Sequence, residues 1–269
     1  MDINALKKRL GEISNKNTKN KLIWKPSNGE QLVRLVPYKF QPENPFIELW
    51  FHYDFNGKNY LSPKSFDRPD PLVEFANKLR SSNDKEDYEL SKKFYPKMRI
   101  YVPIVVRGEE DQGVRFWGFG KQAYQALLAL IADDEYGDIS DIKEGHDIKV
   151  TYIPMEESGK SFPETQIMAR PKKSVVGDSK IIDSIKAEVA ITEVFTESSY
   201  DDLKAALDKY LNPEEEEEED TSEDAFTSDD SSTGESKKSK SVTEEKAAPK
   251  AEKTSVKNAS SDFDELFGS

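Results

Sequence analysis

The stretch VRFWGFGKQAY, residues 114–124, sets Arg115 and Lys121 among the rings of Phe116, Trp117, Phe119 and Tyr124. Rings interleaved with cations suit a flat, anionic ligand. Bases stack on the rings at about 1–3 kcal/mol each, and the cations hold phosphates. Phosphate-loop chemistry does not fit, because GFGKQ matches neither G-x-x-x-x-G-K-[ST] nor G-x-G-x-x-G. A nucleophile elbow is absent. The chain has no cysteine, and its histidines are His52 and His146. Disulfides, thiol nucleophiles and thiolate zinc sites are therefore excluded. No spacing of Asp, Glu, Ser and His calls for an active site, so the residues point to a binder that needs no cofactor rather than to an enzyme.

Strands must position these residues. RIYVPIVVR (99–107) alternates, with Ile100, Val102, Ile104 and Val106 on one face and Arg99, Tyr101 and Arg107 on the other. VRFWGF (114–119) sets Val114 and Phe116 against Arg115, Trp117 and Phe119. The intervening GEEDQG is short enough for a hairpin. If the apolar faces are buried together, Arg99, Tyr101, Arg107, Arg115, Trp117 and Phe119 line the opposite face, a candidate platform for single-stranded nucleic acid. The competing reading is that this face packs against helices within 70–95. Lys64, Arg68, Lys92, Lys93 and Lys97 flank the strands and either widen the positive surface or are ordinary solvated charges.

Elsewhere, EQLVRLVP reads as a strand. FIELWFHYDF (46–55) alternates, with Ile47, Leu49, Phe51, Tyr53 and Phe55 facing away from Glu48, Trp50, His52 and Asp54. NGK at 56–58 is a turn. Residues 70–80, 121–133 and 199–211 read as helices, and HDIKVTYIP and ETQIMARP as a second antiparallel pair. The expected fold is β-rich α+β: an OB-fold-like antiparallel barrel with accessory helices and a disordered acidic C-terminal tail. Its parts are a basic arm over 1–25, a core over 26–211 and the tail over 212–269. The net charge is −13, and residues 212–269 supply 18 acidic against 7 basic groups. The arm is either a frayed terminus or a segment that binds a neighbour or a phosphate chain. The terminal SSDFDELFGS sets Phe263, Leu266 and Phe267 among Asp262, Asp264 and Glu265, either by chance or as a docking peptide. No run of about 18 apolar residues exists, and the N-terminus lacks a signal-peptide core. A soluble, intracellular protein without membrane contact is expected.

The order of segments resembles the helix-destabilising single-stranded DNA-binding proteins of T-even-like bacteriophages. The resemblance rests on the basic LKKRL, on VRLVP, on NPFIELWFHYDFNGKNYL, on RIYVPIVVRGEEDQGVRFWGFGKQAYQAL and on the acidic tail. It implies cooperative binding of single-stranded DNA in replication, recombination and repair, in the host cytoplasm for a phage protein. Lys7, Lys8 and Arg9 would then join neighbours along the strand. Arg99, Tyr101, Arg115, Trp117 and Lys121 would lie in or near the DNA cleft. The tail would recruit replication and recombination proteins through Asp262, Phe263, Asp264, Glu265, Leu266 and Phe267, and would compete with DNA. The best-known members hold a structural zinc through one histidine and three cysteines, in the region of residues 60–78. This chain has neither residue type there. No zinc is expected, with apolar packing by Phe66, Leu72, Val73 and Phe75 in its place. Two other readings stay open: an acidic protein-interaction factor without nucleic-acid binding, and an RNA-binding OB protein.

Overall fold

The computed structural model describes residues 19, 21–82, 84–212, 262–263 and 265–267. Lys7, Lys8 and Arg9, the acidic run 214–220 and Asp264 lie outside the described residues. In chain order the strands are β1 (Ile23–Trp24), β2 (Gly29–Leu35), β3 (Ile47–Phe55), β4 (Lys58–Leu61), β5 (Lys97–Val106), β6 (Arg115–Phe119), β7 (His146–Ile153) and β8 (Glu164–Lys173). The helices are α1 (Pro71–Ser81), α2 (Lys85–Phe94), α3 (Lys121–Ile131), α4 (Met155–Ser158), α5 (Ser179–Lys186), α6 (Ile191–Val194) and α7 (Tyr200–Leu211). Two compact units divide them. The first holds the described residues up to Leu49 together with Met98–Thr196. The second holds Trp50–Lys97 and the described residues from Glu197 onward.

In the first unit the hydrogen-bonded path runs β1-β6-β5-β2-β7-β8. The first long strand, β2, pairs antiparallel with both β5 and β7, and α3 links β6 to β7. This is the OB-like connectivity expected from the sequence. The two-residue β1 adds parallel to β6, which no sequence pattern signals. One face of the sheet buries Val33, Leu35, Ile100, Val102, Trp117, Phe119, Ile148 and Val150 with Leu127 of α3. A second cluster joins Val36, Val105 and Val176 to Ile181 and Ile185, the i and i+4 positions of α5. With strands on both edges and cover on both faces, β5 is buried without interruption from Ile100 to Val106. That is the pattern of a central strand.

The hairpin register corrects the sequence reading. Ile100 lies opposite Phe119, Val102 opposite Trp117 and Ile104 opposite Arg115. Residues directly opposite each other share a face. Arg115, Trp117 and Phe119 therefore stand with the apolar set of β5, not with Arg99, Tyr101 and Arg107. Phe116 goes to the other side, where Tyr38 packs on it at 6.1 Å and Phe195 packs on Tyr101 at 4.9 Å.

In the second unit α1, α2 and α7 pack around Phe75, Leu79, Phe94, Leu203 and Leu207. Each helix starts on a side-chain cap: Asp70 for α1, Asp84 for α2 and Ser199 for α7. The β3–β4 hairpin turns at Asn56 and Gly57, both at positive φ (52° and 68°), as a two-residue I′ turn requires. A register shift between His52 and Phe55, with Asp54 at φ 51°, breaks the alternation of β3. His52, assigned by strict alternation to the polar face, precedes that shift and is nevertheless buried, because Asp70 at the start of α1 covers it.

Gly118 lies beneath the buried Tyr101 ring, where an added Cβ would stand 2.6 Å from Tyr101 Cε1. Gly118→Ala is expected to destabilise the chain by about 1–3 kcal/mol through overpacking. Trp117→Ala is expected to cost about 3–5 kcal/mol through the cavity it leaves. Urea denaturation measures both, and an unchanged midpoint for Trp117→Ala would contradict its place in the core.

Candidate nucleic-acid interface

The hairpin residues divide into framework and surface. Trp117, Tyr101 and Phe119 are buried, Trp117 with its ring edge-on to Trp24 at 5.7 Å and 4.6 Å from Phe119. Arg107 donates from Nε and Nη2 to Asp147 Oδ1 at 3.0 and 2.7 Å, and from Nη1 and Nη2 to the Val176 and Val175 carbonyls. Its guanidinium thus joins the end of β5 to β7 and to the segment after β8. Arg115 pairs with Glu109 at 2.7 Å and is mostly covered. Arg99 is half-buried and donates to the Gly118 carbonyl at 3.0 Å. Lys121 is exposed in the first turn of α3, a turn without acidic residues that follows Gly120. A cation beside unpaired N–H groups at a helix start favours phosphate.

Rings paired with exposed cations occur outside the hairpin: Lys39 Nζ stands 5.4 Å from the centre of the exposed Phe40 ring in the first unit, and further pairs lie in the second. Lys64 Nζ stands 4.1 Å from the centre of the Trp50 ring, and the Arg68 guanidinium 5.5 Å from that of Phe66. Local hydrogen bonding produces this arrangement. Trp50 N–H donates to Ser65 Oγ at 2.8 Å, and its carbonyl accepts from Ser62 N–H at 2.8 Å. The 3-10 turn Pro63–Phe66 is laced to β3 in this way. Arg68 also pairs with Glu197 at 3.0 Å but stays 62% exposed. On α2, Lys92 Nζ lies 4.6 Å from the Tyr88 ring and pairs with Glu89; Arg80 approaches the same ring at 5.2 Å. Lys93 and Lys97 are exposed. Such pairs hold a planar π-face next to a mobile cation, the two groups that stacking on a base and contacting its phosphate require.

Sequence reasoning placed Lys64, Arg68 and Lys92 as flanking charges and passed over the rings beneath them. For Trp50 the signal was present: alternation sets a tryptophan on the polar face of β3. Phe66, assigned to packing, is half-buried under Arg68. Of the other residues given that packing role, Leu72 and Phe75 are fully buried and Val73 is half-buried.

Under this surface lies a polar centre that the sequence did not reveal. His52 Nε2 donates to Asp70 Oδ2 at 2.9 Å, and Ser62 Oγ donates to the same oxygen. Asp70 Oδ1 accepts from Leu72 N–H at 2.9 Å and Val73 N–H at 3.3 Å. One buried carboxylate thus ties β3, the residue after β4 and the start of α1 together. Burial pushes the Asp70 carboxyl up, but the hydrogen bonds and charge of His52, the Ser62 hydroxyl and the Val73 N–H outweigh it. The net position is below the usual carboxylate range. Within residues 60–78, where the bacteriophage resemblance implies a zinc, the Asp70 carboxylate and the Ser62 hydroxyl are buried, and the one imidazole that reaches them, His52 of β3, is already bonded to Asp70. That set does not fit a tetrahedral zinc, which takes four strong N, S or carboxylate donors. Among the described residues no group of three or more His, Asp or Glu side chains is placed to hold a metal ion.

Residues 27–226 match the family model described as gp32 DNA binding protein like. Among curated proteins, none matches the chain. The matched span includes the hairpin, the ring–cation pairs and the Asp70 centre.

Asp70→Asn is expected to destabilise the chain at pH 7 by about 1–3 kcal/mol, because it weakens hydrogen bonds to a buried charge and to a helix N-terminus. A depressed carboxyl contributes stability that is present above its unfolded pKa of about 3.9 and is lost as pH falls through the lower folded value. The gap between the two proteins should therefore narrow below about pH 4. Urea titrations at neutral and acid pH measure this, and a gap that does not depend on pH would contradict the role given to the Asp70 charge.

Proposed function

Because the chain belongs to the gp32-like DNA-binding proteins, we propose that it binds single-stranded DNA without reading base sequence. The observation that carries this reading is the pairing of Lys64 with Trp50 and Arg68 with Phe66 along one turn of the second unit. Stacking is indifferent to sequence because every base has a π-face. In this reading Lys64, Arg68, Lys92, Lys93, Lys97 and Lys121 supply phosphate contacts, with the half-buried Arg99 beside them in sequence, while Arg115 stays paired with Glu109. Tyr101, Trp117, Phe119 and Arg107 belong to the framework of the first unit. The family is one of binding proteins, and the reading requires no catalytic group. No helix among the described residues is long and apolar enough to cross a membrane.

The proposal extends to cooperative binding in DNA replication, recombination and repair. Lys7, Lys8 and Arg9 would serve self-association along the strand, and the acidic tail would recruit replication and recombination proteins. The bacteriophage resemblance supports these roles and a cytoplasmic setting. The tail's charge further supports competition with DNA for the same cations.

A titration with oligo(dT) tests the reading. Trp24 and Trp117 are buried at 6% and 1% exposure, while Trp50 is half-buried under Lys64. Quenching of tryptophan emission should therefore come from Trp50, and Trp50→Phe should remove most of it. Replacing Lys64 and Arg68 together by alanine should flatten the slope of log K against log salt by about 1.4, at about 0.7 per phosphate contact. The thermal midpoint should not move. Absence of binding at low salt, with and without residues 213–269, would favour the acidic interaction-factor reading.

A chain ending at residue 212 is expected to bind oligo(dT) more tightly than the full chain, most clearly at low salt, where like-charge competition is least screened. Equal or weaker binding would remove the competition role of the tail.

A further inference from the structure

The C-terminal DFDELF segment, which the sequence offers as a handle for other proteins, is not free in the structure. Asp262, Phe263, Glu265, Leu266 and Phe267 are helical, and they sit on α1 and α7 of their own unit. Phe263 is only 7% exposed and meets Phe75 of α1 edge-on at 6.5 Å. Phe267, four residues on and so on the same helical face, packs against Phe263 at 5.0 Å. Both rings join the cluster formed by α1, α2 and α7.

Two lysines frame the apolar contact. Lys78 Nζ donates to the Asp262 carbonyl and to Glu265 Oε2, each at 2.9 Å, and lies 3.7 Å from Asp262 Oδ1. Lys204 Nζ donates to the Phe267 carbonyl at 3.1 Å and stands 5.3 Å from the Phe267 ring centre. The peptide is thus read at three levels: rings at i and i+4 fill an apolar groove, an acidic side chain meets Lys78, and backbone carbonyls meet both lysines. This is the helix-in-groove mode of peptide recognition. Neither lysine is needed by the nucleic-acid reading. Among the described residues, Lys78 forms its ion pairs with this peptide alone.

We propose that the α1–α7 face, with Lys78 and Lys204 as its charged clamp, is a receptor for an acidic-aromatic helical peptide. Its resident ligand is the chain's own segment 262–267. Residues 212–261 connect this peptide to Leu211, the end of α7, and covalent linkage makes capture intramolecular. Any protein that takes the terminal peptide must first displace it from this face. Conversely, an acidic-aromatic peptide supplied by another chain can enter only when the resident one leaves. The residues of this face are not those assigned to DNA, so the two readings stand or fall separately.

The test uses a fluorescein-labelled peptide of residues 258–269 and full-length chains, with anisotropy as readout. In the wild type the face is free only for the fraction of time that the resident peptide is out, and apparent affinity falls by that fraction. The double variant Phe263→Ala, Phe267→Ala should therefore bind the probe at least about ten-fold more tightly than the wild type. Adding Lys78→Glu to that variant should abolish the gain. A probe carrying Glu265→Lys should restore binding to the Lys78→Glu chain through the reversed charge pair. Equal binding by wild type and double variant, no binding by either, or indifference to Lys78→Glu would each overturn the proposal. Oligo(dT) binding measured on the same chains reports separately on the nucleic-acid reading.

Discussion

Strand β5 is the constraint on which the first unit depends. It is hydrogen-bonded to β2 on one edge and to β6 on the other, and both of its faces are covered. From Ile100 to Val106 a strand so placed has no free face to offer a ligand. Its side chains must fill two interiors at once, and the pairing register assigns them. Once Val102 is set opposite Trp117, the tryptophan is committed to the core, and Gly118 must stay bare to admit the Tyr101 ring. The buried guanidinium of Arg34 and the half-buried one of Arg107 then serve the fold. Arg34 donates to the Asp141 and Ser174 carbonyls, and Arg107 is fixed on Asp147.

The second unit solves a different problem. It has few strand pairs, and its helices are short, so its hydrophobic cluster needs a fixed frame to close against. The Asp70 carboxylate supplies one. It accepts from a histidine, a hydroxyl and two backbone N–H groups, so that a single buried charge specifies the relative placement of β3, the turn at Ser62 and α1. A charge in such a place is tolerated because every lone pair in use has a donor. The Trp50–Lys64 pair sits one turn away, on the chain segments that the same network positions. The candidate binding surface is thus built on backbone that these hydrogen bonds hold in place.

Much was legible from the residues alone. The strands β3, β5 and β7, the Asn56-Gly57 turn and the helices at 71–81, 121–131 and 200–211 follow from short-range patterning, caps and turn chemistry, which act over a few residues. The charge asymmetry between the tail and the rest of the chain is a matter of composition. The order of these segments was enough to point to a family, and the family match over 27–226 agrees with it.

The faces were not legible, and the reason is distance along the chain. Alternation states that Trp117 and Phe116 point opposite ways; it does not state which way is in. That choice is made by the register of β6 on β5 and by α5 and α6, whose apolar residues Ile181, Ile185, Ile191 and Val194 come 64–78 positions later. The burial of His52 likewise depends on a partner at position 70. The docking of Phe263 on Phe75 joins residues that no local pattern relates. By itself the sequence determined the elements, their order and the tail's charge, because these rest on neighbouring residues. Only the tertiary structure decided which rings are framework and which are surface, because burial is settled by whatever packs opposite, wherever in the chain that residue lies.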